Sequence, residues 1–164
     1  MSVFLRIKKS IEARRIIRLI EIAQSTRNDQ KSEEAVAKLV RIGEPAIGDL
    51  LNAVREQNGG NPVILKILNT VGSPATVKLI AALADANRSV RWTAATALEE
   101  LADPRATAAL IQALHDDDPR VRFTAALALG QIRDRCLDRG LVGAEKNAER
   151  WWENAPRGFK EYRH

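Results

Sequence analysis

Apolar residues along much of this chain recur at the spacing of a helix that buries one face. Val121, Ala125, Ala128, Leu129 and Ile132 stand at i, i+4, i+7, i+8 and i+11, and Val90, Ala94, Ala97, Leu98 and Leu101 repeat that spacing 31 positions earlier. Ala106, Leu110, Ala113 and Leu114 follow the same rule in the segment between them. Identities accompany the period: VRWTAATALEEL (90–101) and VRFTAALALGQI (121–132) share Val, Arg, an aromatic, Thr, Ala and Leu in matching places. LIAAL (79–83) aligns with LIQAL (110–114) at the same offset of 31, and LLNAV (50–54) precedes LIAAL by 29. Three copies of a two-helix unit are visible, the signature of a stacked array in which each unit covers the apolar face of its neighbour.

The prolines mark where these helices begin. Five of the six follow a residue suited to a cap or turn, in Glu44-Pro45, Asn61-Pro62, Ser73-Pro74, Asp103-Pro104 and Asp118-Pro119. Pro has no N–H to lose in the first helical turn, and Asp, Asn or Ser before it accepts one of the N–H groups the helix leaves over. The run His115-Asp116-Asp117-Asp118 invites comparison with an acidic metal site. The residue matching Asp118 one repeat earlier is Asn87, however, which caps equally well and serves poorly at such a site. Asp118 is therefore expected to be a cap, with Asp116 and Asp117 closing the preceding turn. Arg91 and Arg122, inside their helices, are expected to pair with neighbouring acidic turns as a structural ladder; such pairs, where exposed, contribute about 0–1 kcal/mol each.

These signals predict a basic N-terminal helical segment to about residue 27, helix pairs 31–42 with 45–57, 62–71 with 74–85 and 88–101 with 104–115, and a last helix at 119–133. The corresponding divisions are a cap at 1–30, repeats at 31–133 and a C-terminal capping helix and tail at 134–164. In the tail, Gly140 and Gly143 break the period, and Trp151 and Trp152 suit a cover over the last repeat. At the other end, Phe4, Ile7 and Ile11 share one helical face while Ile16, Ile20 and Ala23 fall on the opposite one. That pattern predicts a break near residues 12–15, the second half docking as a half-repeat and the first projecting. The projecting part has the chemistry to touch a membrane surface, another subunit or nucleic acid.

Composition narrows the class. Hydrophobic residues make up 45% of the 164 positions but aromatics only 4%, and the predominance of Ala and Leu favours closely packed helices over a β-sandwich. The single cysteine, Cys136, forms no internal disulfide, which suits a reducing compartment, and no apolar run approaches a membrane span. A cytoplasmic monomer is expected. The net charge of +5 resides in residues 1–27, where seven cations face two carboxylates, while the remainder holds nineteen of each. Arg6, Lys8, Lys9, Arg14, Arg15 and Arg18 thus form a candidate patch for an anionic partner.

With the period, the DPRVRFTAALALG and DPRATAALIQAL stretches and the two-helix unit in hand, residues 31–133 resemble HEAT repeats, especially the short HEAT-like type of bacterial and archaeal proteins and of phycobilin lyases. The resemblance implies an all-α, armadillo-like, right-handed α-α superhelix, a short solenoid with non-repeat helical caps. It also implies first helices on the convex side, second helices lining a concave face, and use as a protein- or peptide-binding scaffold. Setting the three second helices in register then gives the columns of that face: Asp49, Lys78 and Ala109; Asn52, Ala81 and Gln112; Arg55, Ala84 and His115. Gly48, Val77 and Ala108 flank them. Asp49, Asn52, Arg55, Lys78, Gln112 and His115 are the candidate partner-binding residues, on a small-residue, mixed-charge surface that suits a helix or extended peptide.

No catalytic set is legible. His115 and His164 form no His-x-x-x-His pair, there is no Cys-x-x-Cys, and Gly59-Gly60 precedes a helix start rather than forming a phosphate loop. Cys136 follows Arg133 and Arg135 but has no nearby histidine, and reads as a structural thiol. HEAT-like alkylpurine DNA glycosylases hold DNA in a strongly basic, aromatic-bearing concave face, whereas the columns here offer only Arg55 and Lys78 and no aromatic. The expectation is a non-enzymatic scaffold without metal or cofactor. The alternatives are nucleic-acid association through the basic N-terminus, or an accessory role in a bilin-type prosthetic-group lyase.

Overall fold

The computed structural model describes residues 3–25, 29–57 and 61–138, with side chains from residue 13 onward, Asp29 excepted. Within these residues the chain forms eight α-helices and no strand: α1 (Val3–Ala23), α2 (Asp29–Ile42), α3 (Glu44–Gln57), α4 (Pro62–Val71), α5 (Thr76–Ala82), α6 (Arg88–Leu101), α7 (Thr107–Ala113) and α8 (Pro119–Asp138). Single tighter turns, Ser73–Ala75 and Pro104–Ala106, lead into α5 and α7. Three helix pairs, α2–α3, α4–α5 and α6–α7, are followed by α8, as the periodicity requires.

The array has two layers. First helices stack in sequence, α2 on α4, α4 on α6 and α6 most extensively on α8, while α3 and α5 meet in the second layer and α5 and α7 each pack against the first helix that follows. One continuous core runs between the layers, containing Leu39, Ile47, Ile64, Leu79, Leu98, Leu110 and Leu129 with no exposed surface. Where α6 meets α8 that core is largely alanine: Ala94, Ala97, Ala125 and Ala128 are all fully buried, which allows close approach of the two helices. The apolar α4 and α5 are bent by 103° from one another, and no single helix among the described residues is long and apolar enough to cross a membrane.

Helix ends follow the predicted chemistry in part. Asn61 accepts from the Val63 N–H at 2.8 Å, Asn87 from the Ser89 N–H at 2.8 Å, Asp103 from the Arg105 N–H at 3.0 Å and Asp118 from the Arg120 N–H at 2.9 Å. Asp118 is thus the cap expected of it. Glu44 and Ser73 are not caps: Glu44 lies inside α3, and Ser73 opens the turn before α5 with Gly72 at the capping position. The stop signal that makes this arrangement work is a residue of positive φ after each of α2, α4 and α6, Gly43 at φ 69°, Gly72 at φ 74° and Ala102 at φ 43°. Ala102 holds this conformation while its N–H bonds the Leu98 carbonyl at 2.9 Å.

Two expectations are corrected at the ends of the array. α1 does not break near residues 12–15 but runs unbroken from Val3 to Ala23, because Glu12-Ala13-Arg14-Arg15 are all strong helix formers. Its second half docks as proposed, with Ile16, Ile20 and Ala23 buried and the helix packed on both α2 and α3. α8 continues to Asp138, past the predicted end at 133, and buries Cys136 at 2% exposure as a packed thiol. Trp151, Trp152 and the C-terminal capping helix lie outside the described residues.

Two caps carry a pH signature. The Arg120 guanidinium bonded to Asp118, and that of Arg105 bonded to Asp103, draw both carboxyl groups from their ordinary 3.8 down to about 2 against the opposing effect of burial. A carboxylate held more acidic in the folded chain than in the unfolded one stabilises the fold above pH 3.8, and that contribution fades as pH falls toward 2. The melting temperature of the wild type is therefore expected to drop over this window, and Asp118→Asn together with Asp103→Asn to flatten the drop. Asn should keep the caps, as Asn61 and Asn87 do in this chain; melting curves from pH 2 to 7 provide the check.

Candidate functional site

The sequence placed its binding residues on the second helices, and the structure resolves that proposal into one built cleft and several separate positions. α1 lies alongside α3, and between them opens a cleft of about 410 Å³. Asp49, Asn52 and Arg55 of α3 line it, together with Ala53, Glu56 and Gln57. Their spacing by three residues puts them along one flank of the helix while Leu50, Leu51 and Val54 turn into the core. The opposite wall comes from α1, with Ile17, Ile20, Glu21 and Gln24. Ile17 is 49% exposed, an apolar side chain left open in the cleft. Gln24 and Gln57 join the walls by reciprocal amide hydrogen bonds of 2.7 and 3.3 Å.

Charge in the cleft is mixed and partly committed. Arg55 donates to Asn52 Oδ1 and, at 2.6 Å, to Asp85 Oδ2 in the turn of the following repeat. Burial works against ionised Asp85, but the Asn87 N–H and Arg55 outweigh it and hold its carboxyl below the ordinary range. Asp49 behaves oppositely: burial raises its pKa, and the positive charge of Lys78 only partly offsets this. Lys78 itself donates to the Glu44 carbonyl at 3.0 Å and lies 3.7 Å from Glu44 Oε1. The cleft therefore sets the carboxylates Glu21, Asp49 and Glu56 beside Ile17, Ile20 and Ala53.

Lys78 neighbours this cleft electrostatically without lining it, and Gln112 and His115 stand exposed on α7 and the turn after it, outside the cleft. The α1 wall was missed because that helix was read as a cap. The adjacent Ile16 and Ile17, more apolar surface than one buried face needs, were the available signal. Of the N-terminal cations, Arg14, Arg15 and Arg18 are exposed on α1, while the side chains of Arg6, Lys8 and Lys9 lie outside the described residues.

The expected arginine ladder is present once, as a largely buried pair. Arg91 grips Asp116 in a fork, Nε to Oδ2 at 2.7 Å and Nη2 to Oδ1 at 2.8 Å, with side chains only 15% and 8% exposed. Its Nη1 also donates to the Asp85 and Ala86 carbonyls. Arg122 repeats the carbonyl contacts, to Asp116 and Asp117, but meets no carboxylate among the described residues. Asp116 is thus a tie between repeats, and no cluster of three His, Cys, Asp or Glu side chains suited to a metal occurs among the described residues.

Helix pairs, stacked in two layers and recurring every 29 to 31 residues, define an α-helical repeat solenoid. Residues 76–141, α5 to the end of α8, match the family model for HEAT repeats, which supports reading this array as HEAT repeats. Repeats of this family generally mediate protein–protein scaffolding. No curated protein shows significant similarity to the chain.

Proposed function

We propose that the protein is a non-enzymatic, cytoplasmic adaptor that holds a protein or peptide against its second-helix layer, with the α1–α3 cleft as the principal seat. The observation that carries this reading is the cleft itself, in which Asp49, Asn52 and Arg55 gather beside the open apolar side chain of Ile17. An apolar anchor ringed by polar groups is the arrangement that gives protein interfaces their affinity and register. The single histidine and cysteine among the described residues support the non-enzymatic reading. Cys136 is buried in α8 and lines a cleft with Arg105 and Arg135 but no histidine, while His115 is exposed in the turn after α7.

A photo-crosslinking residue at Asn52 is expected to trap a discrete protein adduct in cell extract, and one at Thr70, exposed on the first-helix layer, is not. Ile17→Glu should abolish the Asn52 adduct without lowering the melting temperature, since Ile17 is half exposed. Equal adducts from both positions, or an Asn52 adduct indifferent to Ile17→Glu, would remove the basis for the reading.

A further inference from the structure

α1 and α2 form an antiparallel hairpin, and that geometry brings together cations distant in sequence. Arg15 of α1 and Lys38 and Arg41 of α2 line one open cleft of about 340 Å³, floored by Ile42. We infer that this three-cation cleft is a sequence-nonspecific nucleic-acid contact, seating phosphodiester groups of the backbone.

The contrast with the rest of the molecule supports this assignment. Arg55, Arg91, Arg105 and Arg120 are each tied to an aspartate, at 2.5 to 2.7 Å, and hold turns and repeats together. Arg15 and Arg41 are exposed and, among the described residues, make neither a hydrogen bond nor an ion pair. Lys38 has only a 3.8 Å contact with Glu34, between side chains that are both 56% exposed, an arrangement that binds weakly. Arg14 and Arg18, also exposed and unpaired among the described residues, extend the positive strip along α1. Like charges sharing one cleft repel, and a polyanion relieves that repulsion while releasing its own counterions. Each guanidinium presents a planar fork that matches two phosphate oxygens.

Among the side chains the structure describes, the surroundings favour nucleic acid over other polyanions. A lipid surface takes up an exposed apolar face, and a protein interface needs an apolar or aromatic anchor. The exposed large apolar side chains described on this hairpin are Ile17, which belongs to the α1–α3 cleft, and Ile22, 36% exposed near the end of α1. A contact made by charge alone, without base readout, needs neither.

The test titrates the full-length protein with a labelled 20-base-pair duplex of mixed sequence at several salt concentrations, comparing wild type, Arg15→Ala/Arg41→Ala, and the equally charged control Lys66→Ala/Arg88→Ala. The hairpin variant is expected to bind at least about tenfold more weakly near 0.1 M salt, and its slope of log K against log salt to be shallower by about 2, while the control stays near wild type. All three should melt at similar temperatures, since the four side chains are exposed. Identical losses in the two variants, no duplex binding by the wild type at low salt, or binding only to phosphatidylserine vesicles or polyglutamate would each overturn the assignment. None of these outcomes bears on the α1–α3 cleft, whose crosslinking test uses other residues.

Discussion

Asp116→Ala is expected to destabilise the protein by about 2–3 kcal/mol, which for a chain of this size lowers the melting temperature by roughly 5–10 °C. The carboxylate sits at 8% exposure with both oxygens on Arg91, whose side chain is itself 15% exposed. Removing it leaves a largely desolvated guanidinium edge without an acceptor, and that unpaired charge, more than the lost attraction, sets the size of the effect. Asp116 Oδ1 also accepts the Asp118 N–H at 2.8 Å, so the turn preceding α8 loses its brace at the same time. Arg91→Ala should cost a comparable amount, because Arg91 additionally satisfies the Asp85 and Ala86 carbonyls. The double variant should cost less than the sum by about 2 kcal/mol, the mark of direct coupling. Asp117→Ala, one residue away on an exposed side chain, should fall within about 0.5 kcal/mol of wild type. Thermal or denaturant unfolding of the four variants decides it, and additivity between Arg91 and Asp116 would refute the coupling.

That pair also shows where a sequence stops informing its reader. The helices were legible because two local signals agreed: a period of 3.6 and a Pro preceded by a capping residue. Asn61, Asp103 and Asp118 accordingly cap as read. Arg91 was legible as a partner for an acidic turn, but its burial was not, since burial depends on how closely α6 and α8 approach. Those two helices carry buried alanines at equivalent positions 31 residues apart, Ala94 with Ala125 and Ala97 with Ala128. The α1–α3 cleft was half legible. Register supplied Asp49, Asn52 and Arg55, while the wall containing Ile17 required knowing that α1 is one continuous helix laid against α3. The same fact hid the cationic cleft: Lys38 and Arg41 belong to a segment of balanced charge and join Arg15 only when the chain turns back on itself. Folding 3–23 antiparallel onto 29–42 on paper would have found it.

Leu98→Ala is expected to have the largest effect of any single truncation, about 3–4 kcal/mol and roughly 8–14 °C in melting temperature. Leu98 has no exposed surface and lies on α6, the helix that packs against α8, α5, α4 and α3 and so joins the last units to the first. The cost of such a truncation depends on whether neighbours can close the void. α6 and the helix it packs against most extensively, α8, carry the fully buried Ala94, Ala97, Ala125 and Ala128, whose methyl groups have little reach, so a cost in the upper part of the usual range is expected. Leu51→Ala, at a site 8% exposed on α3, leaves a void open to solvent and should cost clearly less. In a stacked array stability is a sum of units and the interfaces between them, so the damage should also be local. Hydrogen exchange in Leu98→Ala is expected to speed up most for amides of α6, α7 and α8, with α1 to α3 nearly unchanged and crosslinking from Asn52 preserved. Uniform acceleration along the whole chain would instead mean that the array unfolds as one cooperative body, and that the α1–α3 cleft depends on the distant repeats for its shape.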